Sequence, residues 1–252
     1  MKLNLITCSG ANEHTEITDL VEAFGNLYLP EVVIGVQVCG KKGGFGTARY
    51  WWLNALYHYL NEKEANLNIG LHINLDWVDR FINGDVAKEL QHFLGLTLYN
   101  GRPFVKYVQL NFKIGRNENP DAKKLISAVK YYKKQQFILS CSDANIEFIE
   151  YLFDKFSYKF WPLYDNSFGE GIKCDNWKAP LFENVVQGYA GGLSAENILN
   201  ELHKIDKVVG KDELIFVDAE GKLKGDDGYF SIAKAQKFVS ECWKFDWHRV
   251  RG

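Results

Sequence analysis

Several features that would assign this 252-residue chain to a specialised class of protein are missing from its sequence. It has no run of about 18 or more apolar residues, the length that a membrane-spanning helix requires. Residues 1–6 have the pattern of a strand and lack the long apolar segment and small-residue cleavage site of a signal peptide. We therefore expect neither a membrane span nor a secretory leader.

Cysteines are few and show no paired spacing. The sequence contains five, which include no CxxC pair: Cys8, Cys39, Cys141, Cys174 and Cys242. A disulfide framework normally uses an even number of cysteines, and a structural zinc site normally uses CxxC-type spacing. The sequence therefore predicts reduced thiols and a cytoplasmic location.

Neither sign of charge dominates the composition. Lys and Arg number 30 against 32 Asp and Glu, which gives a formal net charge of −2. Binding to nucleic acid or to an anionic membrane through overall charge requires a strongly basic protein. We therefore expect neither partner. The six histidines include no HxH or HExxH spacing, so no metal site is predicted.

Short apolar runs alternate with longer segments of helical periodicity along the whole chain. The predicted strands are 3–7, 32–38, 69–75, 107–112, 136–140, 160–164, 185–189 and 214–217. The predicted helices that follow them are 16–26, 49–60, 78–94, 122–132, 146–156, a short one around 177–182, 195–205 and 231–243. The chain is thus predicted to consist of eight strand–helix units.

Eight such units in a chain of this length predict a closed (β/α)8 barrel, an α/β fold with eight parallel strands, in which residues 1–252 form one domain. Strands of mostly apolar residues are expected to be buried on both faces, as in a parallel sheet. No linker rich in proline or serine divides the chain. Barrels of this kind carry catalytic groups at the carboxyl ends of their strands and bind phosphate beside the last two loops.

Asp165 directly follows the apolar sixth strand, and a loop that contains Gly169 and Gly171 comes next. A carboxylate at the end of a buried strand is costly unless it has a partner or a function. Glycines let main-chain N–H groups approach an anion without obstruction by side chains. We therefore predict that Asp165 and this loop form half of an active site.

Two further candidates follow the first and second strands. Cys8 is expected to face the mouth of the barrel, where a basic role would need a lowered pKa; the alternative is an inert buried thiol. Arg49 follows a loop rich in glycine and lysine, and its guanidinium can hold a carboxylate through two hydrogen bonds. The alternative for Arg49 is a surface arginine at the start of a helix.

The last two loops carry the candidate phosphate site. Gly191 and Gly192 come just before a predicted helix, whose first N–H groups and dipole favour an anion. Asp218 and Gly221 follow the eighth strand, where they are expected to contact the substrate; the alternative is a solvated turn.

His72 alternates with Asn74 on the third strand, and we expect the two side chains to form a polar pair inside the barrel.

Several segments of the chain resemble sequence motifs of the phosphoribosylanthranilate isomerase family. The segments that carry the likeness are residues 6–10 (ITCSG), Arg49-Tyr50, 108–111 (VQLN), 163–165 (LYD) with 169–177 (GEGIKCDNW), and 190–197 (AGGLSAEN). They are similar, in this order, to the family's first-strand cysteine motif, its Arg-Tyr pair, VQLHG, LLD followed by GGTGxxFDW, and AGGLTPENV. Three departures stand out: Asn111 replaces the usual His, Glu170 interrupts GGTG, and residues 218–221 (DAEG) replace a serine-glycine turn.

The resemblance implies the Amadori rearrangement of N-(5-phosphoribosyl)anthranilate to 1-(2-carboxyphenylamino)-1-deoxyribulose 5-phosphate. Asp165 would donate a proton to the ribose ring oxygen, and Cys8 would remove the proton from C2. Arg49 would hold the anthranilate carboxylate. The phosphate would be held by loop glycines: Gly169, Gly171, Gly191, Gly192 and Gly221. No metal or organic cofactor is implied, and the protein would be a monomer or a homodimer.

Two alternatives stay open because the loops after strands 2, 6 and 8 depart from the family pattern. The first is an enzyme of the same fold that acts on another phosphorylated sugar or aminosugar. The second is a barrel that binds sugar phosphates without catalysis.

Overall fold

The protein is a closed barrel of eight parallel strands in the order in which they occur along the chain. The computed structural model describes residues 1–25, 27, 31–112, 120–156, 159–165 and 176–250, without the side chains of 246–250. The strands are β1 (Lys2–Ser9), β2 (Glu31–Val38), β3 (Asn68–Ile73), β4 (Val105–Leu110), β5 (Gln136–Cys141), β6 (Phe160–Tyr164), β7 (Gln187–Ala190) and β8 (Leu214–Ala219). This architecture confirms the predicted (β/α)8 barrel.

Helices alternate with these strands. They are α1 (Ile17–Phe24), α2 (Ala48–Glu62), α3 (Leu75–Ile82), α4 (Lys88–Gly95), α5 (Ala122–Tyr131), α6 (Ile146–Phe156), α7 (Ile198–Val208) and α8 (Ile232–Val250). A short 3-10 helix, Gly221–Leu223, follows β8. Within the described residues, every helix is too short or too polar to cross a membrane.

Two predicted helices differ from the structure. The single helix predicted over 78–94 is in fact α3 followed by α4, because Gly84 takes a left-handed conformation (φ 79°) that ends the first of them. The short helix predicted around 177–182 does not form. Pro180 lies within that stretch and disfavours a helical conformation for the residue before it.

Side chains alternate between the inside and the outside of the barrel, as strand geometry requires. An inner cluster fills the barrel and consists of Leu5, Val33, Tyr107, Ile138, Leu163, Ala190 and Phe216. An outer cluster joins the strands to the helices; on β1 it includes Ile6 and Cys8. Leu5 points inward, so Thr7 and Ser9 point inward too, toward the carboxyl end of the barrel.

Candidate active site

The carboxyl end of the barrel is polar inside, in contrast to the apolar inner cluster below it. Buried polar side chains from four strands lie at inward positions there: Ser9, His72, Gln109 and Asp218. Strand pairing brings them to one level, because His72 is in register with Gln109, and the residues before Ser9 are in register with the end of β8. In (β/α)8 barrels this end carries the catalytic groups, so it is the candidate active site.

Ser9 connects two of these side chains. Its Oγ donates a 2.6 Å hydrogen bond to Asp218 Oδ1 and lies 3.4 Å from His72 Nε2. Gly35, the register partner of Ser9 on β2, leaves the room for this contact. A Cβ at Gly35 would collide with Ser9 Oγ and would lie 2.8 Å from His72 Nε2.

His72 is neutral in this environment. Burial lowers its pKa to about 4, although the charge of Glu220 opposes the shift. The Ser9 hydroxyl has one proton, which it gives to Asp218, so His72 can bond to Ser9 only as a donor through Nε2–H. The hydrogen bonds therefore run from His72 to Ser9 and from Ser9 to Asp218.

Asp218 is a carboxyl group suited to proton transfer. Burial, together with the charge of Asp165, raises its pKa to about 7, although hydrogen bonds from Ser9 and Gln109 act in the opposite direction. A group with a pKa near the working pH is populated in both protonation states and can give or accept a proton.

Asp165, the residue that follows β6, faces the same space. Trp161 and Leu163 of that strand pack in or against the inner cluster, and alternation therefore points Asp165 inward as well. Tyr164 is in register with Tyr189, and the next residue, Ala190, is in register with Asp218. Asp165 thus lies level with Asp218, two strand spacings or about 10 Å away along the barrel wall.

Cys8 does not face this space, contrary to the expectation from the sequence. It is fully buried in the outer cluster, on the opposite face of β1 from Ser9. Burial raises the pKa of its thiol above the ordinary range, and the charge of Asp218 adds to the shift. A thiol in this position stays protonated and does not meet Asp165 across the mouth.

Arg49 is bound to the protein itself. Its Nε donates to the Glu13 carboxylate, and its Nη1 donates a 2.7 Å hydrogen bond to the main-chain oxygen of Gln37. Burial favours the neutral form of Glu13, but its hydrogen bond and ion pair with Arg49 outweigh this and lower its pKa. Arg49 therefore ties the loop before α1 to the end of β2, whereas the sequence predicted a clamp for a substrate carboxylate.

The structure describes part of the loops that the sequence predicted to bind phosphate. Gly191 and Gly192 adopt positive φ values of 118° and 62°, conformations that favour glycine. Asn197 braces this turn, since its side chain donates to Gly192 O and accepts from Ser194 N. Gly221 begins the 3-10 helix after β8. The predicted contacts of Gly169 and Gly171 lie outside the described residues.

The sequence interpretation missed several residues of the site. Ser9, Gln37 and Gln109 were not singled out, and neither was Glu220, which accepts a 2.8 Å hydrogen bond from Gln37. The signal was present in the strands: each of these residues except Glu220 is a polar residue at an inward position of an otherwise apolar run. Side chains on a strand alternate, so counting in steps of two from the inward-pointing Leu5 leads to Ser9 and not to Cys8.

No protein-family model matches this chain, and no curated protein matches it significantly. Solved structures do. TrpF from Jonesia denitrificans superposes with a TM-score of 0.55 at 11% identity, over 97% of this chain and 98% of that one. Phosphoribosyl anthranilate isomerase from Thermotoga maritima superposes with a TM-score of 0.51 at 11% identity, over 96% of this chain and 99% of that one. A mutant tryptophan synthase alpha-subunit from Pyrococcus furiosus superposes with a TM-score of 0.50 at 11% identity, over 96% of this chain and 98% of that one. Likeness at this identity shows the fold.

Proposed function

We propose that this protein is an acid–base isomerase that acts on a phosphorylated sugar or aminosugar. The observation that carries the proposal is the pair of carboxyl groups, Asp165 and Asp218, that face one space at the carboxyl end of the barrel. Burial, with a smaller contribution from the charge of Asp165, raises the pKa of Asp218, so that Asp218 holds a proton up to about pH 7. A proton donor and a proton acceptor thus flank the same space, as an isomerisation requires.

In this proposal Asp218 is the acid and Asp165 is the base. For an aminosugar, Asp218 gives its proton to the ring oxygen, and the bond from that oxygen to C1 breaks to leave a Schiff base. Asp165 then takes the proton from C2, which gives an enolamine. The enolamine gains a proton at C1 and loses the proton of its 2-hydroxyl, and the aminoketose results. Substrate and product contain the same atoms, and each carboxyl ends the reaction in the protonation state in which it began.

Phosphate binding is proposed for the turn at Gly191 and Gly192. Glycine has no side chain to obstruct the main-chain N–H groups there, the positive φ values favour glycine, and α7 begins a few residues later. Gly221, at the start of the 3-10 helix after β8, is the proposed second contributor. Both lie at the end of the barrel that carries the carboxyl pair.

N-(5-phosphoribosyl)anthranilate is the first substrate to test, because the sequence motifs and a structural neighbour's name both point to it. Two observations favour another phosphorylated sugar as the second candidate. Cys8 lies in the outer cluster, and the Arg49 guanidinium is bound to Glu13. The base and the carboxylate clamp that the resemblance implied are thus missing from the described geometry.

The test is an assay of the purified protein with N-(5-phosphoribosyl)anthranilate and with a panel of aldose phosphates, with products followed by chromatography and NMR. Asp218→Asn and Asp165→Asn should each lower kcat/KM by about 10²- to 10⁴-fold on the substrate that is turned over. Asp212→Asn, the same change at an exposed site before β8, should leave it unchanged.

Normal turnover by both active-site variants would overturn the assigned roles. Binding of sugar phosphates without turnover of any of them would favour the non-catalytic barrel.

A further inference from the structure

Gln109 carries a buried polar atom that has no partner among the residues that the structure describes. The residue is 5% exposed, and among the described residues its Oε1 has no hydrogen-bond donor. Gln109 pairs with His72 on one side and Ile138 on the other, and Ile138 belongs to the inner cluster. The amide therefore lies inside the barrel, at the level of the candidate active site.

The orientation of this amide is set by a directed chain of hydrogen bonds. Asn74 Nδ2 donates to the main-chain oxygen of His72, which can only accept. Asn74 Oδ1 must then accept from Asn111 Nδ2, and it does so at 3.0 Å. Asn111 Oδ1 in turn accepts from Gln109 Nε2 at 3.0 Å and from Ser140 Oγ at 2.9 Å. Exchanging the oxygen and nitrogen of Gln109 would set two oxygens against each other, so Oε1 is the atom left over.

The unpaired oxygen belongs to an amide that lies beside the Asp218 carboxyl. The same amide reaches the Asp218 carboxyl, whose pKa its hydrogen bonding lowers. A second buried atom without a partner among the described residues, Thr7 Oγ1, belongs to the residue in register with Asp218 on β1. Native proteins pair nearly all buried polar atoms, so two unpaired ones next to a proton-transfer group indicate a place for ligand hydroxyls.

We propose that Gln109 Oε1 accepts a hydrogen bond from the substrate hydroxyl adjacent to the carbon where the ring opens, the 2-hydroxyl of an aldose phosphate. This inference rests on the proposed isomerase function and adds a specificity determinant to it. The 2-hydroxyl loses its proton when C2 becomes a carbonyl carbon, so an acceptor at this position also assists the reaction. A 2-deoxy sugar would leave Oε1 buried and unpaired, and the site would bind it more weakly.

The test compares the affinities of D-ribose 5-phosphate, 2-deoxy-D-ribose 5-phosphate and inorganic phosphate by calorimetry. Protonated Asp218 can itself donate to Gln109, so binding is measured at about pH 8, above the pKa of about 7 of that carboxyl. The wild-type protein should bind the ribose compound about tenfold more tightly than the deoxy compound. Gln109→Met should reduce this preference to about twofold or less and leave the affinity for the deoxy compound unchanged.

Gln136→Met is the matched control, since Gln136 lies at the other end of the barrel, at the start of β5, and its side chain donates to the main-chain oxygens of Phe137 and Lys159. It should keep the wild-type preference. If Gln109→Met does not fold by circular dichroism, Gln109→Asn takes its place, because the shorter side chain withdraws the oxygen and stays polar.

Equal affinity of the wild-type protein for both sugars would overturn the inference and leave the proposed function standing. A preference that persists in a folded Gln109 variant would overturn the role of Gln109. Binding of neither sugar more tightly than inorganic phosphate would count against the proposed function itself, and the inference would fall with it.

Discussion

The Ser9 hydroxyl donates a 2.6 Å hydrogen bond to Asp218, although 209 positions separate the two residues in the chain. The bond exists because the barrel closes β8 against β1. It holds the Asp218 carboxyl in place while burial and the charge of Asp165 keep its pKa near neutrality. Closure of the barrel thus orients the residue that we propose as the acid.

Asp218 should make stability depend on pH in an unusual direction. Its pKa of about 7 in the native state exceeds the value of about 3.9 for an unfolded aspartate. Between about pH 4 and 7 the native state therefore binds more protons than the unfolded state, and this carboxyl's contribution to the free energy of unfolding falls as pH rises. His72 acts in the opposite direction between about pH 4 and 6.5, because its native pKa of about 4 lies below the value of about 6.5 for an unfolded histidine.

The variant Asp218→Asn isolates the carboxyl from the histidine. Its free energy of unfolding minus that of the wild type should increase from about pH 4 to pH 7, by about 2–4 kcal/mol, and stay constant above pH 7. Urea unfolding of both proteins across this range measures the difference. A difference that does not change with pH would show that Asp218 titrates as an ordinary aspartate.

Cys8 should be dispensable for activity. Its thiol is buried in the outer cluster and its pKa is raised, so Cys8→Ala should leave kcat/KM unchanged and cost about 1 kcal/mol of stability. Cys8→Ser should be less stable than Cys8→Ala, because a hydroxyl would be buried without a partner. A drop of about 10²-fold or more in kcat/KM for a folded Cys8→Ala would instead restore the cysteine as the base.

We expect the contact between Ser9 and His72 to require a glycine at position 35. An added methyl group would displace both side chains, so Gly35→Ala should lower the free energy of unfolding by about 1–3 kcal/mol and reduce activity.

Gly95→Ala is the control for this change, because the residue lies in α4 and a Cβ there meets no neighbouring atom of the described residues within 4 Å. It should be neutral or stabilise the protein by up to about 1 kcal/mol. Thermal unfolding and kcat/KM are measured for both variants, and equal behaviour would contradict the steric argument.

We expect substitution of Arg49 to lower the stability of the protein rather than its affinity for substrate. Arg49→Lys loses the bond to the Gln37 main chain and the geometry of the pair with Glu13, and should cost about 1–3 kcal/mol. Glu13→Gln should cost less, and the double variant should be less destabilised than the sum, since the residues share one interaction. If Arg49 holds a substrate carboxylate, its variant would keep its stability and raise KM only for substrates that bear one.

The larger features could be predicted from the sequence because their signals are local. Apolar runs of strand length and segments with helical periodicity specified eight units, and Asp165 was found because it follows an apolar strand directly. The break between α3 and α4 was missed because the apolar pattern of residues 78–94 continues across it, and the left-handed conformation of Gly84 causes it. Glu13 was missed because its partner, Arg49, is 36 residues away.

By itself, the sequence determined the barrel and the end of it at which chemistry is expected, since strand order and loop position follow from local periodicity. Only the tertiary structure decided which side of β1 meets the mouth, because neighbouring side chains on a strand point in opposite directions and a difference of one residue exchanges Cys8 for Ser9. It alone also decided the pKa of Asp218, which depends on burial and on groups from β1, β4 and the end of β6 that come together when the barrel closes.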